Sequence, residues 1–430
     1  MLMTTPFTTL ARNQSKVFGM PNMQAVIMPH PIGGLPLPQV IDKIDSAFDE
    51  KVRKLTAPLP RITDEEAQVQ SQWVDIECHS EWEDLQVAFM DRGWGDGMPA
   101  VPPTRERVEA MVRASGYPAD HVVAKLPPKN GLATIECIAA NAVMAGTKPM
   151  HMPLLITAIQ CVIEPQFNLY GMQGTTHPAT PLMIVNGPLA PVLGINSGGG
   201  LFGPGPWANG PAGRAMRLIL LNIGGAKSVE MSKATMGHPG KFSYCIAENE
   251  KASPWQSLAA DRGFPPGVST VTMTGSEGPH NINDHHSTVA NGILTMIFHT
   301  ITETGQNNVN HASEPMLILG PEHAATIAKG GFSKEDVKRA IYDEARIPLS
   351  HFSEEQIALR MKRYLPKRYK DRPDDVRVPL AQRWEDVMVL VAGGTGKHSM
   401  YVPTFGPTRS VTRAVLKPDG TPWMPEDFRS

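Results

Sequence analysis

The sequence predicts an α/β fold, a multi-stranded sheet with flanking helices, plus a short N-terminal α-β-α fragment of a second domain. Four short apolar runs, LMIVNGP (182–188), STVTMTGSEGPH (269–280), MLILGPEH (316–323) and VMVLVAGGTGKH (387–398), each end in a glycine-containing turn. Helical patterns follow at least the second and third, from Ser287 and from Glu322. Strand, turn and helix in that order is how α/β sheets are wound, and ligands then sit outside the carboxyl ends of the strands.

The elements follow in order along the chain. QAVIM (24–28) reads as a strand between two helical patterns, TTLARNQSKVFG (8–19) and PQVIDKIDSAFDEKVRKL (38–55). One short strand makes no independent sheet, so residues 1–58 either pack on the main body or belong to a domain that begins elsewhere. PLPRITDEEAQVQSQ (58–72) is Pro-rich, then acidic and polar, and reads as a linker over 59–72. The main domain spans 73–416. It opens with a helix to Met90, a Gly-rich turn, and a helix that Thr104 caps and Gly116 stops. Two more helices are expected near 132–145 and 153–163. Residues 346–384 are charged and basic, a helical excursion or subunit contact, and 417–430 form a tail.

Composition narrows the function classes. Lys plus Arg (40) nearly balances Asp plus Glu (42), for a net charge of -2, so the chain lacks the basic field that nucleic-acid binding requires. Cysteines at 78, 137, 161 and 245 are too scattered for a disulfide scaffold or a paired-cysteine zinc site. No apolar run approaches the roughly 18 residues of a membrane span, and the start lacks the pattern of a signal peptide. The expectation is a cytoplasmic protein with neither nucleic-acid nor membrane partners, and a homo-oligomer is compatible with it.

Four clusters carry chemistry. In GSEGPHNINDHHS (275–287), His280, Asp284 and His285 are the ligand types that zinc, iron and manganese favour. The spacing matches no zinc helix motif, so capping by Asp284 and proton transfer by a histidine stand beside the metal reading. In FSYCIAENE (242–250), Glu248 is a candidate general base with Asn249 orienting substrate, and Cys245 would share a helical face with Glu248. Cys245 itself reads as a nucleophile or as a small core residue. The glycine-rich stretch 194–213 leads into a helix bearing Arg214 and Arg217, a setting for a substrate carboxylate or for loop packing. AGGTGKHS (392–399) offers Lys397 and His398 to an anion, with Arg409 downstream; His398 stands where a kinase loop needs its hydroxyl, which disfavours a kinase. With His323 added as a substrate-binding group, the turns carrying His280, His323 and His398 are expected to converge with Glu248 on one cleft, because parallel strands send their following loops to one edge.

The motifs GWGDGMPAVPPT (93–104), NAVMAG (141–146), CIAENE (245–250), GPHNIND (278–284), LGPEHA (319–324) and AGGTGKHS (392–399) together resemble a bacterial family linked to the UGSC (seleno)proteins, over most of residues 73–415. GMPNMQAVIMPHPIGG (19–34) and the helix after it are similar to the end of the small UGSC redox domain. That domain carries a selenocysteine or cysteine in a Sec/Cys-Gly-Ser-Cys motif, which these residues lack. The resemblance implies a thiol or selenol redox domain as partner. The expected function is enzymatic: reductive or lytic cleavage of a carbon–heteroatom bond in a small polar or anionic organic substrate. A metal-assisted hydrolase or hydro-lyase acting alone, and a non-catalytic substrate-binding subunit, are the alternatives.

Overall fold

A computed structural model describes residues 2–17, 23–57, 73–76, 82–358 and 377–428. The linker 59–72 and much of the charged excursion lie outside them, as does Cys78. In chain order the strands are β1 (Leu2–Thr4), β2 (Val26–Met28), β3 (Val122–Leu126), β4 (Gly131–Thr134), β5 (Thr180–Asn186), β6 (Cys245–Ala247) and β7 (Thr270–Ser276). They continue with β8 (His280–Asn283), β9 (Met316–Leu319), β10 (Arg346–Pro348), β11 (Arg377–Pro379), β12 (Met388–Val391), β13 (His398–Val402) and β14 (Val411–Ala414).

The fold is α/β, and it contains two four-stranded sheets where the sequence suggested one: β14-β7-β5-β6 and β12-β9-β13-β8. Both are mixed. β5 runs parallel to β6 and β9 parallel to β12, while β7 and β13 are antiparallel to the strands beside them. Side-chain alternation shows how the sheets stack. Leu182 and Ile184 of β5 and Ile246 of β6 share one core with Met316 and Ile318 of β9 and Met388 and Leu390 of β12. The intervening residues face outward. Met183, Val185, Val271 and Met273 pack with the helices Ile135–Met144, Met152–Val162 and Asn209–Asn222. Leu317, Leu319, Val389 and Val391 pack with Ala290–Ile301, Pro321–Lys329 and Lys334–Glu344. The result is four layers, helix on sheet on sheet on helix. Unbroken apolar runs signal strands buried on both faces, but they do not say whether helix or sheet covers the second face.

The sheets exchange strands at one corner. β7 leaves the first sheet and enters the second as β8; β13 leaves the second and returns to the first as β14. Where they cross, Ser276 bridges Thr404, Glu277 N donates to the Pro403 carbonyl at 2.9 Å, and Phe405 N donates to the Gly275 carbonyl at 2.8 Å. Fully buried Asn308 clamps this crossing. Its Nδ2 donates to Ser313 Oγ at 2.6 Å and Thr404 Oγ1 at 2.8 Å, and its Oδ1 accepts from Thr404 N at 3.0 Å and the Tyr401 hydroxyl at 2.8 Å.

At the N terminus, parallel β1 and β2 form a two-stranded sheet, and the helix Thr8–Val17 ties the fragment to the main body through Gln14 Nε2 to the Pro128 carbonyl at 3.2 Å. The base of the charged excursion is held by the antiparallel pair of β10 and β11. Residues 417–428 fold back, with Trp423 N donating to the Val415 carbonyl at 3.0 Å and the Trp423 ring against the core. No helix among the described residues is long and apolar enough to cross a membrane.

Asn308→Ala leaves the buried Thr404 N–H without its acceptor, at about 1–3 kcal/mol for a desolvated, unpaired group, while the Tyr401 hydroxyl keeps Gln306 Oε1 and the Ser313 and Thr404 hydroxyls keep each other. Urea unfolding should show a loss of about 1–3 kcal/mol; a loss within the scatter of surface substitutions would mean that the crossing does not depend on this amide.

Candidate functional site

The carboxyl ends of β5, β6, β9 and β12 meet at one edge of the two sheets. Asn249 N donates to the Val391 carbonyl at 2.7 Å, and Gly393 N to the Ser197 carbonyl at 2.8 Å, joining the loops of both sheets there. Asp284, His285, His323, Lys397, His398 and Glu248 all lie at this edge. His285 Nε2 and His398 Nε2 are 3.0 Å apart, and His398 Nδ1 is 3.1 Å from Asn281 Oδ1. A neutral His398 that donates from Nδ1 to Asn281 therefore accepts the His285 Nε2–H. Gly320 permits this arrangement, because a Cβ there would lie 2.1 Å from the His398 carbonyl oxygen.

Several expectations fail here for identifiable reasons. His323 is buried, with Nδ1 2.8 Å from Ser399 Oγ and Nε2 3.1 Å from the Asp284 carbonyl. Both ring nitrogens are occupied, and burial lowers its pKa, so it braces the loops and does not face a substrate. Lys397 donates to the carbonyls of His285 and Ser287 at 3.2 and 3.4 Å. Glu248 is 4% exposed; its Oε2 accepts from Asn186 Nδ2 at 2.6 Å and Leu258 N at 2.7 Å, and burial raises its pKa. A carboxyl so enclosed is a structural anchor. Cys245 and Glu248 share no helical face, because residues 245–247 are strand. Asn249 Oδ1 accepts from Ala252 N at 3.3 Å and shapes the turn. Arg214 forks onto Asp96 at 2.8 Å and reaches the carbonyls of Met98 and Pro99, which uses the guanidinium internally. Arg409 pairs with Asp386 at 3.4 Å, beyond the far end of β13 from Lys397 and His398.

The metal set does not assemble. His280 pairs in register with Tyr401 and Asn283 with His398, which separates His280 from the Asp284–His285 turn by roughly 10 Å along β8. Asp284 Oδ1 accepts from His286 N at 3.2 Å and Ser287 N at 3.0 Å, closing the turn before the helix that starts at Ala290. Among the described residues no group of three or more His, Cys, Asp or Glu side chains is placed to hold a metal ion. Antiparallel order explains the error: the residues after β7 form β8, so His280 lies at the opposite edge from His323 and His398.

At that opposite edge, beside the crossing of the sheets, is a cleft of ≈ 810 Å³. Its walls are the glycine-rich loop at Leu201–Gly203, the turn His238–Gly240, the segment Ser243–Cys245, and Glu277–His280 facing Glu303. Gly213 lets the helix Asn209–Asn222 approach this wall, since a Cβ there would lie 2.4 Å from Tyr244 N. Asn209 Nδ2 donates to the carbonyls of Asn196 and Cys245 at 3.2 and 3.0 Å, holding the glycine-rich loop along β6.

One histidine–carboxylate pair and the carboxylate of a second line the cleft. Glu277 Oε1 pairs with His177 Nε2, whose ring stacks on Phe405. His280 Nε2 lies 3.8 Å from Glu303 Oε1, both exposed. Between them, His238 Nδ1 accepts the Gly240 N–H at 3.1 Å, which puts the proton of the neutral ring on Nε2. Burial lowers the His238 pKa, with the charge of Lys241 second; Lys241 is itself pushed down to about 8 by burial. The Tyr244 hydroxyl donates to the Glu277 carbonyl at 3.0 Å. Burial pushes the Cys245 thiol up to about 12, so it remains a thiol at neutral pH and is poorly suited to be a nucleophile.

No family model matches the chain, nor does any curated protein or solved structure. The cleft therefore rests on its own chemistry. Sequence reasoning selected His280 from it and passed over His238, Glu277 and Glu303. His238 does carry the signal used elsewhere, a histidine within a Gly/Pro turn (GHPG, 237–240), but no apolar run precedes it.

His151, His238 and His323 all have pKa values lowered mainly by burial. Below the unfolded value of about 6.5 the unfolded chain binds more protons than the folded one, so stability rises with pH until that value is passed. Thermal unfolding should show Tm falling as pH drops from 7 toward 5, and His323→Gln should flatten the slope. A Tm independent of pH in that window would contradict the neutral state of these rings.

Proposed function

We propose that the protein is an enzyme that cleaves a carbon–heteroatom bond in a small polar or anionic organic substrate held in this cleft, in concert with a thiol- or selenol-bearing redox domain. The observation that carries the proposal is the placing of His280, Glu303 and Glu277, the last paired with His177 behind it, in the lining of one ≈ 810 Å³ cleft. Clefts of this size suit small-molecule ligands, and neighbouring acid–base groups in one cleft can protonate a leaving group and take up a proton from the substrate.

In the reductive reaction two thiols, or a thiol and a selenol, supply two electrons and two protons. The C–X bond becomes C–H, X leaves as HX, and the chalcogens end as a disulfide or selenenyl sulfide. Of the cysteines among the described residues, Cys161 and Cys245 are buried, with thiols pushed up to about 12, and half-buried Cys137 is not in the lining of the cleft, which favours a reductant on another domain. The UGSC-like motifs support the same partner. His280, which faces the cleft beside Glu303, is the group proposed to transfer a proton to the leaving atom, with Glu277, three residues before it and paired with His177, as the second acid–base group. In a hydro-lyase the same groups would act without a reductant.

The test is a screen of small carboxylates bearing an amino, hydroxyl or halogen leaving group, with and without an added dithiol or selenol protein, with products read by mass spectrometry. Turnover should require the added protein. His280→Ala should lower kcat by roughly 10²- to 10⁴-fold, the usual range for a general acid or base, with the circular dichroism spectrum preserved. Turnover without any reductant would replace the reductive reading by the lytic one. Tight binding with no turnover, or full activity of His280→Ala, would overturn the proposal.

A further inference from the structure

The walls of the cleft at the crossing are rich in hydrogen-bond acceptors and poor in free donors. Among the described residues the lining contains two carboxylates, Glu277 and Glu303, and neither lysine nor arginine. Lys241 acts on the His238 ring by its charge but stands outside the lining. Both carboxylates reach one region: burial first, and then the charges of Glu277 and Glu303, hold the Tyr401 phenol well above its ordinary pKa, and Tyr401 is the register partner of His280.

The neutral side-chain donors of the lining are committed within the protein. Asn209 Nδ2 donates to the carbonyls of Asn196 and Cys245 at 3.2 and 3.0 Å, Ser243 Oγ to the Gly210 carbonyl at 2.7 Å, and the Tyr244 hydroxyl to the Glu277 carbonyl at 3.0 Å. Gln306 Nε2 donates to the Ile301 carbonyl at 3.1 Å, and His238 Nε2 is buried. His280 is the exposed donor, and it faces Glu303 at 3.8 Å. A ligand carboxylate or phosphate needs donors or a fixed positive charge, and here it would meet two carboxylates instead. A protonated amine brings both the N–H groups and the charge. Phe202 and Tyr244, with ring centroids 5.5 Å apart, belong to the same lining, and aromatic rings attract organic cations.

We propose that the substrate enters this cleft as a small organic cation, a protonated amine whose N–H groups donate to Glu277 and Glu303 and whose carbon skeleton lies against Phe202 and Tyr244. This rests on the reading that the cleft is the substrate site, and it narrows the class named there to amines, setting the anionic one aside.

The test is binding to the full chain at pH 7, read by ligand-detected NMR, of three probes that share a skeleton and differ in charge: benzylamine, benzyl alcohol and benzoate. Benzylamine should bind tightest. Glu303→Gln removes one charge from an exposed side chain and should weaken benzylamine by about 3- to 10-fold while leaving benzyl alcohol unchanged; an unchanged thermal unfolding curve checks that the fold survives. Glu303→Lys should reverse the order and put benzoate ahead of benzylamine. Added salt should erode the preference for the amine. Benzoate binding as tightly as benzylamine to the wild type, or benzylamine binding that ignores both Glu303 variants, would overturn the proposal and leave the acid–base reading of the cleft to the His280→Ala turnover assay. Failure of all three probes to bind would remove the cleft as a ligand site, and both readings with it. Amine binding that follows Glu303 without turnover of any amine would keep the cation site and remove the bond-cleavage reading.

Discussion

The crossing of β7 and β13 holds the rest of the molecule in place. Two sheets packed face to face by apolar side chains alone would be free to slide, because the hydrophobic effect has no direction. At the crossing the backbone leaves one hydrogen-bonding ladder before it has joined the next, and each N–H and C=O exposed by the change must find a partner inside the protein. Asn308 resolves this with one side chain. Its amide protons and carbonyl oxygen are divided among Ser313, Thr404 and Tyr401, and the neighbouring Asn307 adds a bond from Nδ2 to the Thr404 carbonyl at 2.9 Å. A fully satisfied buried network of this kind fixes one geometry more firmly than apolar packing does. Glu277 and His280 extend directly from it, so the cleft inherits its shape from the crossing.

Much of the fold was legible in the sequence, and what was missed follows a physical rule. The helix Arg105–Ser115 ends at Gly116 because a left-handed residue with φ of 75° suits glycine. Thr104 precedes the helix as expected, yet its hydroxyl makes no cap bond. The four apolar runs became β5, β7, β9 and β12. Strand direction was not legible, because it depends on partners far away along the chain. The stretch 269–280 shows this most clearly. Gly278 and Pro279 look like the end of a strand followed by a loop, whereas they are the hinge between two strands in different sheets. That single misreading carried His280 to the wrong edge and built a metal site that does not exist as a cluster.

Charged residues were misread for a related reason. Arg214, Lys397 and Arg409 looked available because no acid stands near them in sequence. Their partners come from a distance: Asp96 for Arg214, the carbonyls of His285 and Ser287 for Lys397, Asp386 for Arg409. A guanidinium or ammonium near loop backbone is drawn to whatever acceptors the fold supplies, and folding had already assigned these three. His280 and Glu303 were left in contact with solvent, and only the three-dimensional arrangement distinguishes the two outcomes.

β13 joins the two edges. It begins at His398, beside His285, and ends next to Pro403, which lines the cleft. Pairing with β8 on one side and β9 on the other makes it a stiff rod of five residues, roughly 14 Å long. A displacement of this rod along its axis moves both ends by the same amount. The imidazole pair at one rim and the wall of the cleft at the other thus belong to a single mechanical element, so disturbing the contact between His285 and His398 reaches the cleft through backbone, with no side chain needed to relay it.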